Sequence, residues 1–332
     1  TSIGTIDDLS QEVTVELARF SNYDQLPNLD HAIFSDGELN IGHIDITGDI
    51  GVNKHNNIQK PIEITNVNAT INGDIYVGPD GSPHDIDSRD IYDGHNGEIY
   101  NLPERQEFLI PQYPAFPEIK PENKYDELLV DTKNEETTII DSSIWYDKIN
   151  VNDNLTINVG DDDILIRTRE FIVGGGRDVI INRYGDGKVK LFVEEKITLN
   201  SNVNLNGNPE DLYMYYSGVN DINFTGNDVF VGSAFIEKAD IKLAGSGGIT
   251  GNITSTGNNI FITGNSEANV RAIYAPESEI SMEGTAFVRG AIVGKDVNIK
   301  GGNKIIYDDS MIDINPEDLG FEVIEEYNRT WR

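Results

Sequence analysis

Residues 222–245 read INFTGNDVFVGSAFIEKADIKLAG, and this stretch begins and ends on the same five-residue pattern, apolar–any–apolar–any–Gly. The pattern recurs through the second half of the chain as VNLNG (203–207), INFTG (222–226), IKLAG (241–245), IFITG (260–264), ISMEG (280–284) and VNIKG (297–301). The closing glycines of successive units are separated by 19, 19, 19, 20 and 17 residues. Self-similarity at a nearly fixed period indicates a repeat architecture.

The first and third positions of each unit share a face if the unit is a β-strand, because side chains alternate along a strand. The first position is β-branched in every unit, and we expect these residues to form one inward core column: Val203, Ile222, Ile241, Ile260, Ile280 and Val297. The second position is mostly polar and is expected to face solvent. With coils of about 19 residues, the sequence predicts an all-β chain folded as a parallel β-solenoid.

Outside this repeat, the first half of the chain and its two ends carry further signals. The first half carries the same signature more loosely, as in IDITG (44–48) and ATING (69–73). Leu9, Val13 and Leu17 have helical spacing, so a short N-terminal helix is predicted. The predicted organisation is a helical segment over 1–30, a solenoid over 31–315 and a C-terminal tail over 316–332.

Prolines are concentrated between residues 78 and 127. Because proline cannot donate a ladder hydrogen bond, this region is predicted to be a long loop excursion from the solenoid. Phe108, Tyr113 and Phe116 are the side chains expected to hold it against the solenoid. A disordered linker is the alternative.

Charge and composition exclude several classes of protein. The 332 residues include 25 Lys and Arg against 57 Asp and Glu, a net charge of −32, and no cysteine. Such a surface repels phosphates, which argues against nucleic acid as a partner, and the lack of cysteine excludes disulfides and cysteine zinc sites. The chain begins at Thr1 and has no long apolar stretch. We therefore expect a processed ectodomain that reaches a membrane only through an N-terminal helix absent from this chain.

Several phrases occur in a recognisable order: AIFSDGELNIGHIDITGDIGVN (32–53), FLIPQYPAFPEI (108–119) and RAIYAPESEISMEGTAFVRGAIVGKDVNIKGGNKIIYDDSM (271–311). This order resembles the β-helical ectodomains of PilX-type and type IV pilus-associated surface proteins of bacteria, which are minor pilin-like. The resemblance implies a non-enzymatic, extracellular display or adhesin-like subunit. Its partners would be other pilus subunits or a host or cell-surface ligand. The GDI elements also resemble bactofilins, which leaves a polymer-forming structural protein as an alternative.

Two sets of residues are candidates for ligand binding. Arg271 and Arg289 lie on neighbouring predicted coils and could grip an anionic ligand, or could pair with nearby carboxylates. Tyr213, Tyr215 and Phe261 could form an aromatic platform for a sugar or a partner. Packing in the core or a groove is the alternative for these rings.

The sequence offers one candidate metal site and no clear catalytic motif. An acidic cluster in the excursion could hold a structural Ca²⁺ or could be a solvated turn; its members are Asp80, Asp85, Asp87, Asp90 and Asp93. No other cofactor is expected. A carbohydrate-active β-helix enzyme, a lyase or hydrolase, is the alternative function. We favour a non-enzyme because the outward columns show no repeated carboxylate pair.

The sequence also argues against an ice-binding face. Such a face would require a column of threonines at the fourth position of each unit. That column is broken: it reads Asn206, Thr225, Ala244, Thr263, Glu283 and Lys300.

Overall fold

The computed structural model describes residues 2–6, 9–13, 15–21, 29–54, 61–65, 68–79, 81, 86, 94–131, 138–264, 267–268, 270–311, 314–321 and 325–331. Over these residues the chain forms an all-β parallel solenoid of about 12 turns, which confirms the predicted fold class. Among the described residues there is no helix with the length and hydropathy of a membrane span.

The strands of the described residues are short and follow one another around the coils. In chain order they are β1 (Ser2–Ile6), β2 (Leu9–Val13), β3 (Val15–Ser21), β4 (Ile33–Ser35), β5 (Leu39–Ile41), β6 (Ile44–Thr47), β7 (Ile50–Val52), β8 (Ile62–Ile64), β9 (Thr70–Asn72), β10 (Ile75–Val77), β11 (His95–Asn96), β12 (Ile99–Asn101), β13 (Lys124–Val130), β14 (Thr138–Ile140), β15 (Ile144–Val151), β16 (Leu155–Val159), β17 (Ile164–Val173), β18 (Val179–Arg183), β19 (Val189–Leu199), β20 (Leu212–Tyr216), β21 (Ile222–Gly226), β22 (Val229–Val231), β23 (Ser233–Ile236), β24 (Ile241–Gly245), β25 (Gly248–Ser255), β26 (Asn259–Gly264), β27 (Glu267–Ala268), β28 (Val270–Gly284), β29 (Phe287–Arg289), β30 (Ala291–Ile299), β31 (Asn303–Ile306) and β32 (Glu325–Trp331). Short 3-10 helices span Pro121–Asn123, Pro209–Asp211, Asp309–Met311 and Pro316–Leu319.

Each coil contributes strands to three faces. The repeat face is built on β21, β24 and β26 and continues into the second halves of β28 and β30. The ladder face includes β20, β23 and the first halves of β19, β28 and β30. The third face consists of β14, β16, β18, β22 and the first part of β25, followed by β27, β29, β31, β6, β9 and β11.

The predicted core column is present on the repeat face. Ile241 pairs with Ile222 on one side and with Ile260 on the other, and the column continues through Ile280 to Val297. All five side chains are buried. Inter-coil hydrogen bonds therefore place one aliphatic side chain directly on the next, and the core grows with the number of coils.

Val203 is a correction to this column. It is buried, but it bridges Val179 and Phe230 on the third face, whereas Phe224 of the repeat face pairs with Leu199. The VNLNG unit matches the repeat in letters but turns, because Asn204 has a φ of 59° and its carbonyl accepts from Gly207 N–H. Asparagine tolerates this left-handed conformation.

The closing glycines of the other five units lie at one corner of the solenoid. Their φ values run from 87° to 95° at Gly226, Gly245, Gly264, Gly284 and Gly301. A Cβ on Gly245 would lie 2.4 Å from the carbonyl oxygen of Gly226. Glycine is required here because the backbone is left-handed and each corner packs on the one beneath it.

The coils do not stack in chain order. Strand β30 near the end of the chain pairs in parallel with β4 and β5, so that Ile292 lies beside Ile33 and Val297 beside Leu39. The spatial order therefore begins at β13, rises to β30 and continues through β4, β7, β10 and β12. The core column accordingly extends from Val297 through Leu39 to Ile62.

The predicted N-terminal helix is wrong. Residues 9–13 and 15–21 are the strands β2 and β3; β2 pairs antiparallel with β1, and β3 with β32. Val13, Val15 and Leu17 alternate with polar or small residues, and this period of two competes with the helical spacing on which the prediction rested. Pairing with a strand from the far end of the chain decides between the two.

Candidate binding groove beneath the strap

The proline-rich excursion is shorter than predicted. Residues 95–101 form β11 and β12 of a further coil, and β13 begins at Lys124. The segment between them, residues 103–123, has no strand and is called the strap. Because the strand pairings place β12 and β13 at opposite ends of the stack, the strap runs along the whole solenoid.

The strap covers a column of outward side chains on the ladder face. The pairing of successive coils aligns Trp145, Arg167, Phe192, Tyr215, Phe235, Thr254, Tyr274, Val293, Phe34, Gly51, Tyr76 and Tyr100. The rings of Phe192, Tyr215 and Phe235 are stacked, with centroids 4.7 and 4.8 Å apart. We call the whole line of twelve aligned residues the aromatic column, because eight of its members are aromatic.

The three predicted anchors of the strap contact this column. The ring of Phe108 lies 5.0 Å from Phe34, and Phe116 lies 5.3 Å from Phe192. Tyr113 meets Tyr215 edge-on at 6.4 Å. The prediction that Phe108, Tyr113 and Phe116 hold the excursion against the solenoid is confirmed, and aromatic contacts of this kind stabilise beyond the area they bury.

Arg167 fastens the lower part of the strap. Its Nη1 donates to the carbonyl of Pro117 at 3.0 Å, and its Nε contacts Glu194 at 2.6 Å. The guanidinium also lies over the ring of Trp145, 4.7 Å from its centroid. It therefore joins a backbone acceptor of the strap, a carboxylate and an aromatic face at one point.

Arg167→Met is expected to loosen the strap without unfolding the coils. Losing the charged hydrogen bond costs about 1.5 kcal/mol, which predicts about tenfold faster cleavage after the exposed Glu118 by a glutamate-specific protease. Arg169→Met is the matched control, because Arg169 is on the same strand and pairs with Glu195 at 2.8 Å. Equal cleavage rates in the two variants would show that Arg167 does not hold the strap in place.

A groove of about 900 Å³ lies between the strap, the ladder face and the segment that follows β31. Its lining residues come from three parts of the chain: Leu109, Ile110, Pro111, Gln112, Tyr113, Pro114 and Ala115; Asp163, Lys188, Lys190, Tyr213 and Tyr215; and Glu317, Gly320 and Phe321. We call the last of these segments, with Glu317, Gly320 and Phe321, the third wall. Two contacts hold it against the ladder face: Thr254 donates to the carbonyl of Leu319 at 3.1 Å, and Phe321 packs edge-on against Tyr274.

The polar groups on the solenoid side of the groove are held by one another. Lys190 Nζ lies 2.6 Å from a carboxylate oxygen of Asp163. Lys188 donates to the hydroxyl of Tyr213 at 3.0 Å, and that hydroxyl donates to Asp318 at 2.5 Å. These contacts fix both lysines at the floor of the groove and tie the third wall to it.

Burial and neighbouring carboxylates change the pKa values of the groove tyrosines. Burial, followed by the charges of Asp163 and Glu317, raises the pKa of Tyr215 to about 12. Burial and the hydrogen bond to Asp318 raise the pKa of Tyr213 well above its usual range. Burial likewise raises the pKa of Tyr113.

Titration of the folded chain is expected to show late-ionising tyrosines. A raised folded-state pKa stabilises the fold fully below about pH 10 and loses that contribution as pH rises through about 12. Tyrosinate absorbance of the folded chain should therefore lag behind that of the chain in urea. Tyr215→Phe should remove one late-ionising group. Coincident folded and unfolded titrations would contradict the geometry.

The structure brings two of the predicted ligand residues together. Tyr213 and Tyr215 lie side by side in the groove, but their ring faces are not free. Phe192 and Phe235 occupy both faces of Tyr215, and Phe235 stacks on Tyr213. They present edges and hydroxyls to the groove, so neither can serve as the flat platform that the sequence suggested.

The other predicted ligand residues lie elsewhere. Phe261 is on the repeat face, 40% exposed. Arg271 is exposed and has an Nη1 3.7 Å from Glu210. Arg289 is also exposed, on β29 of the third face. Hydrogen bonds from Ser310 lower the pKa of Asp308, and the charges of Arg289 and Arg271 lower it further.

Sites for a metal are not apparent in the described part of the chain. Asp80, Asp85, Asp87, Asp90 and Asp93, the predicted calcium cluster, lie outside the described residues. Within the described ranges, no three His, Asp or Glu side chains converge as ligands for an ion.

The sequence prediction missed most of the groove. Gln112, Lys188, Lys190 and Glu317 come from segments that are distant in sequence. One local signal was available: lysines flank Val189 in KVK, so both side chains leave the same side of β19. Two lysines facing one way are conspicuous in a chain with a net charge of −32.

A family model described as "Domain of unknown function (DUF7305)" matches residues 118–260 and 252–314. The chain belongs to the DUF7305 family. The match begins at the lower end of the strap and includes the floor of the groove. No curated protein matches this DUF7305 chain by sequence.

Two solved structures are similar to the DUF7305 chain. One is described as an ice binding protein from an Antarctic Biological Consortium; it is 10% identical, with 84% of this chain and 87% of that chain covered and a TM-score of 0.22. The other is the Shewanella frigidimarina ice-binding protein_1 DUF3494 domain, 12% identical, with 86% and 98% covered and a TM-score of 0.21. Scores this low carry no functional argument.

Proposed function

We propose that this chain is the non-enzymatic ectodomain of a bacterial surface protein associated with type IV pili, in which the solenoid is a stiff support for a recognition groove. The observation that carries the proposal is the continuous stacking of coils, clamped along one face by the strap. Every coil is hydrogen-bonded to its neighbours and filled by aligned aliphatic columns, so the groove walls have a rigid base.

The electrostatics of the groove favour binding over hydrolysis. Burial tends to raise the pKa of Asp163, but hydrogen bonds from Lys190 and from the backbone of Lys188 bring it below its usual value. A general acid for glycoside hydrolysis needs a carboxyl group with a raised pKa. Asp163 therefore suits holding Lys190 in place better than donating a proton.

Ice binding, the activity in the names of the two structural neighbours, is not proposed for this chain. On the repeat face Thr225 pairs with Ala244, Ala244 with Thr263, and Thr263 with Glu283. This column alternates chemistry from coil to coil and does not form an array of threonines.

The test is to locate the full-length protein in the cells that produce it. We expect external protease to remove the domain from intact cells, and mechanical shearing to release it together with pili, both read by immunoblot. A domain protected from external protease would overturn the extracellular role. A surface domain that remains on the cells when pili are sheared off would overturn the pilus association.

A further inference from the structure

We propose that the groove beneath the strap binds a neutral oligosaccharide. The proposal rests on the proposed function in one respect, since it names the class of ligand that the solenoid recognises. It is carried by the shape of the groove, the balance of its charges and two hydroxyl groups that the fold leaves without partners.

The dimensions suit a ligand of a few sugar rings. Binding sites for small molecules measure roughly 300–1,000 Å³, and this groove measures about 900 Å³. Three walls from separate parts of the chain converge on it, and two of them are fastened to the ladder face by hydrogen bonds and ring contacts. The site is therefore formed before a ligand arrives, which lowers the entropic cost of binding.

The charges of the groove cancel, although the chain as a whole is strongly acidic. Lys188 and Lys190 balance Asp163 and Glu317, within a chain whose net charge is −32. An anionic polymer would be repelled by the surrounding surface. A neutral ligand avoids that repulsion and can still use the ammonium groups as donors and the carboxylates as acceptors.

Two tyrosine hydroxyls supply further hydrogen-bonding capacity. The hydroxyl of Tyr113 is buried and has no hydrogen-bond partner among the described residues. Tyr215 makes ring contacts on both faces, and its hydroxyl, unlike those of Tyr213 and Tyr274, bonds to no described residue. Hydroxyl groups of a sugar both donate and accept, so they can satisfy either tyrosine.

Apolar surface in the groove matches the C–H faces of sugar rings. Leu109 and Ile110 are 41% and 43% exposed on the strap wall, and Phe321 is part of the lining contributed by the third wall. Exposed aliphatic side chains next to fixed polar groups give the mixture of contacts that an amphipathic ring requires. This arrangement distinguishes the groove from the exposed Phe261, which lies on the repeat face.

The experiment is calorimetric titration of the whole chain with four neutral trisaccharides, maltotriose, cellotriose, triacetylchitotriose and mannotriose. Trigalacturonate, an anionic sugar, and a proline-rich peptide are titrated for comparison. We expect saturable binding of at least one neutral trisaccharide, changing less than twofold between 50 mM and 500 mM NaCl, since a neutral ligand is not screened. The absence of saturable binding for all four neutral sugars at 10 mM would overturn the proposal. Tighter binding of trigalacturonate or of the peptide would also overturn it.

Matched variants place the binding in the groove. Tyr215→Phe keeps the stacked ring and should weaken binding about threefold to tenfold. Ile110→Ser should weaken it about threefold, while Leu129→Ser, with a similarly exposed apolar side chain at 45% outside the groove, should leave it unchanged. Equal effects of Ile110→Ser and Leu129→Ser would place the ligand elsewhere. Because these readouts need no cell, their failure is separate from failure of the surface location.

Discussion

Replacing Ile260 by Asp is expected to unfold the middle of the solenoid. Ile260 is fully buried between Ile241 and Ile280, and a carboxylate there would have no partner within the aliphatic column. Burying an unpaired charge costs about 4 kcal/mol or more. A chain of this size should lose about 10 °C or more in melting temperature.

The matched control is the next residue along the same strand. Phe261 points outward, is 40% exposed and lies beside Lys242 on the neighbouring coil. Phe261→Asp introduces the same carboxylate into solvent next to a cation, and should change the free energy of unfolding by no more than about 1 kcal/mol. Circular dichroism melts of the two variants provide the comparison. Similar melting temperatures would contradict the assignment of inward and outward positions.

Shortening the strap is expected to detach the coils at its lower end. The strap must span about 12 turns, and at about 4.8 Å per turn this distance is about 58 Å. From Leu102 to Lys124 the chain advances 22 residues, which reach about 68 Å in the polyproline conformation. The strap in this conformation is therefore only about 10 Å longer than the stack that it spans. Its prolines keep it extended.

Deleting residues 116–123 leaves 14 steps, which reach at most about 50 Å when fully extended. The shortfall of about 8 Å or more exceeds one coil spacing. We therefore expect β13 to separate from β15, with loss of amide protection over Lys124–Val130 in hydrogen exchange.

A second variant separates the effect of strap length from the effect of the contacts that the strap makes. Replacing the same eight residues by a Gly-Ser sequence removes the ring contact between Phe116 and Phe192 and the two prolines, Pro117 and Pro121, but keeps the length. This variant should retain protection in β13 and lose it only in the strap. Loss of β13 protection in both variants would show that contacts, and not reach, hold the end of the solenoid.

The candidate site could be predicted in part. The aromatic residues of the strap stand out from the prolines around them, and Tyr213 and Tyr215 alternate along one strand, so each could be assigned locally. Their meeting could not be predicted, because no local pattern states which coil lies beneath Tyr113. Lys188, Gln112 and Glu317 share a groove because the strap and the segment after β31 dock on the same face.

Taken alone, the sequence determined which side of each strand is buried. Ile241, Ile260 and Ile280 face inward because neighbouring side chains must point to opposite faces of a strand, and that steric rule acts within a few residues. The order of the coils was decided by the tertiary structure. Solenoid edges are nearly equivalent, so the edge of β30 can pair with any exposed edge, and a repeat of 17 to 20 residues cannot specify that β4 and β5 lie there. The strap then has to run the length of the stack, and the groove exists because it does.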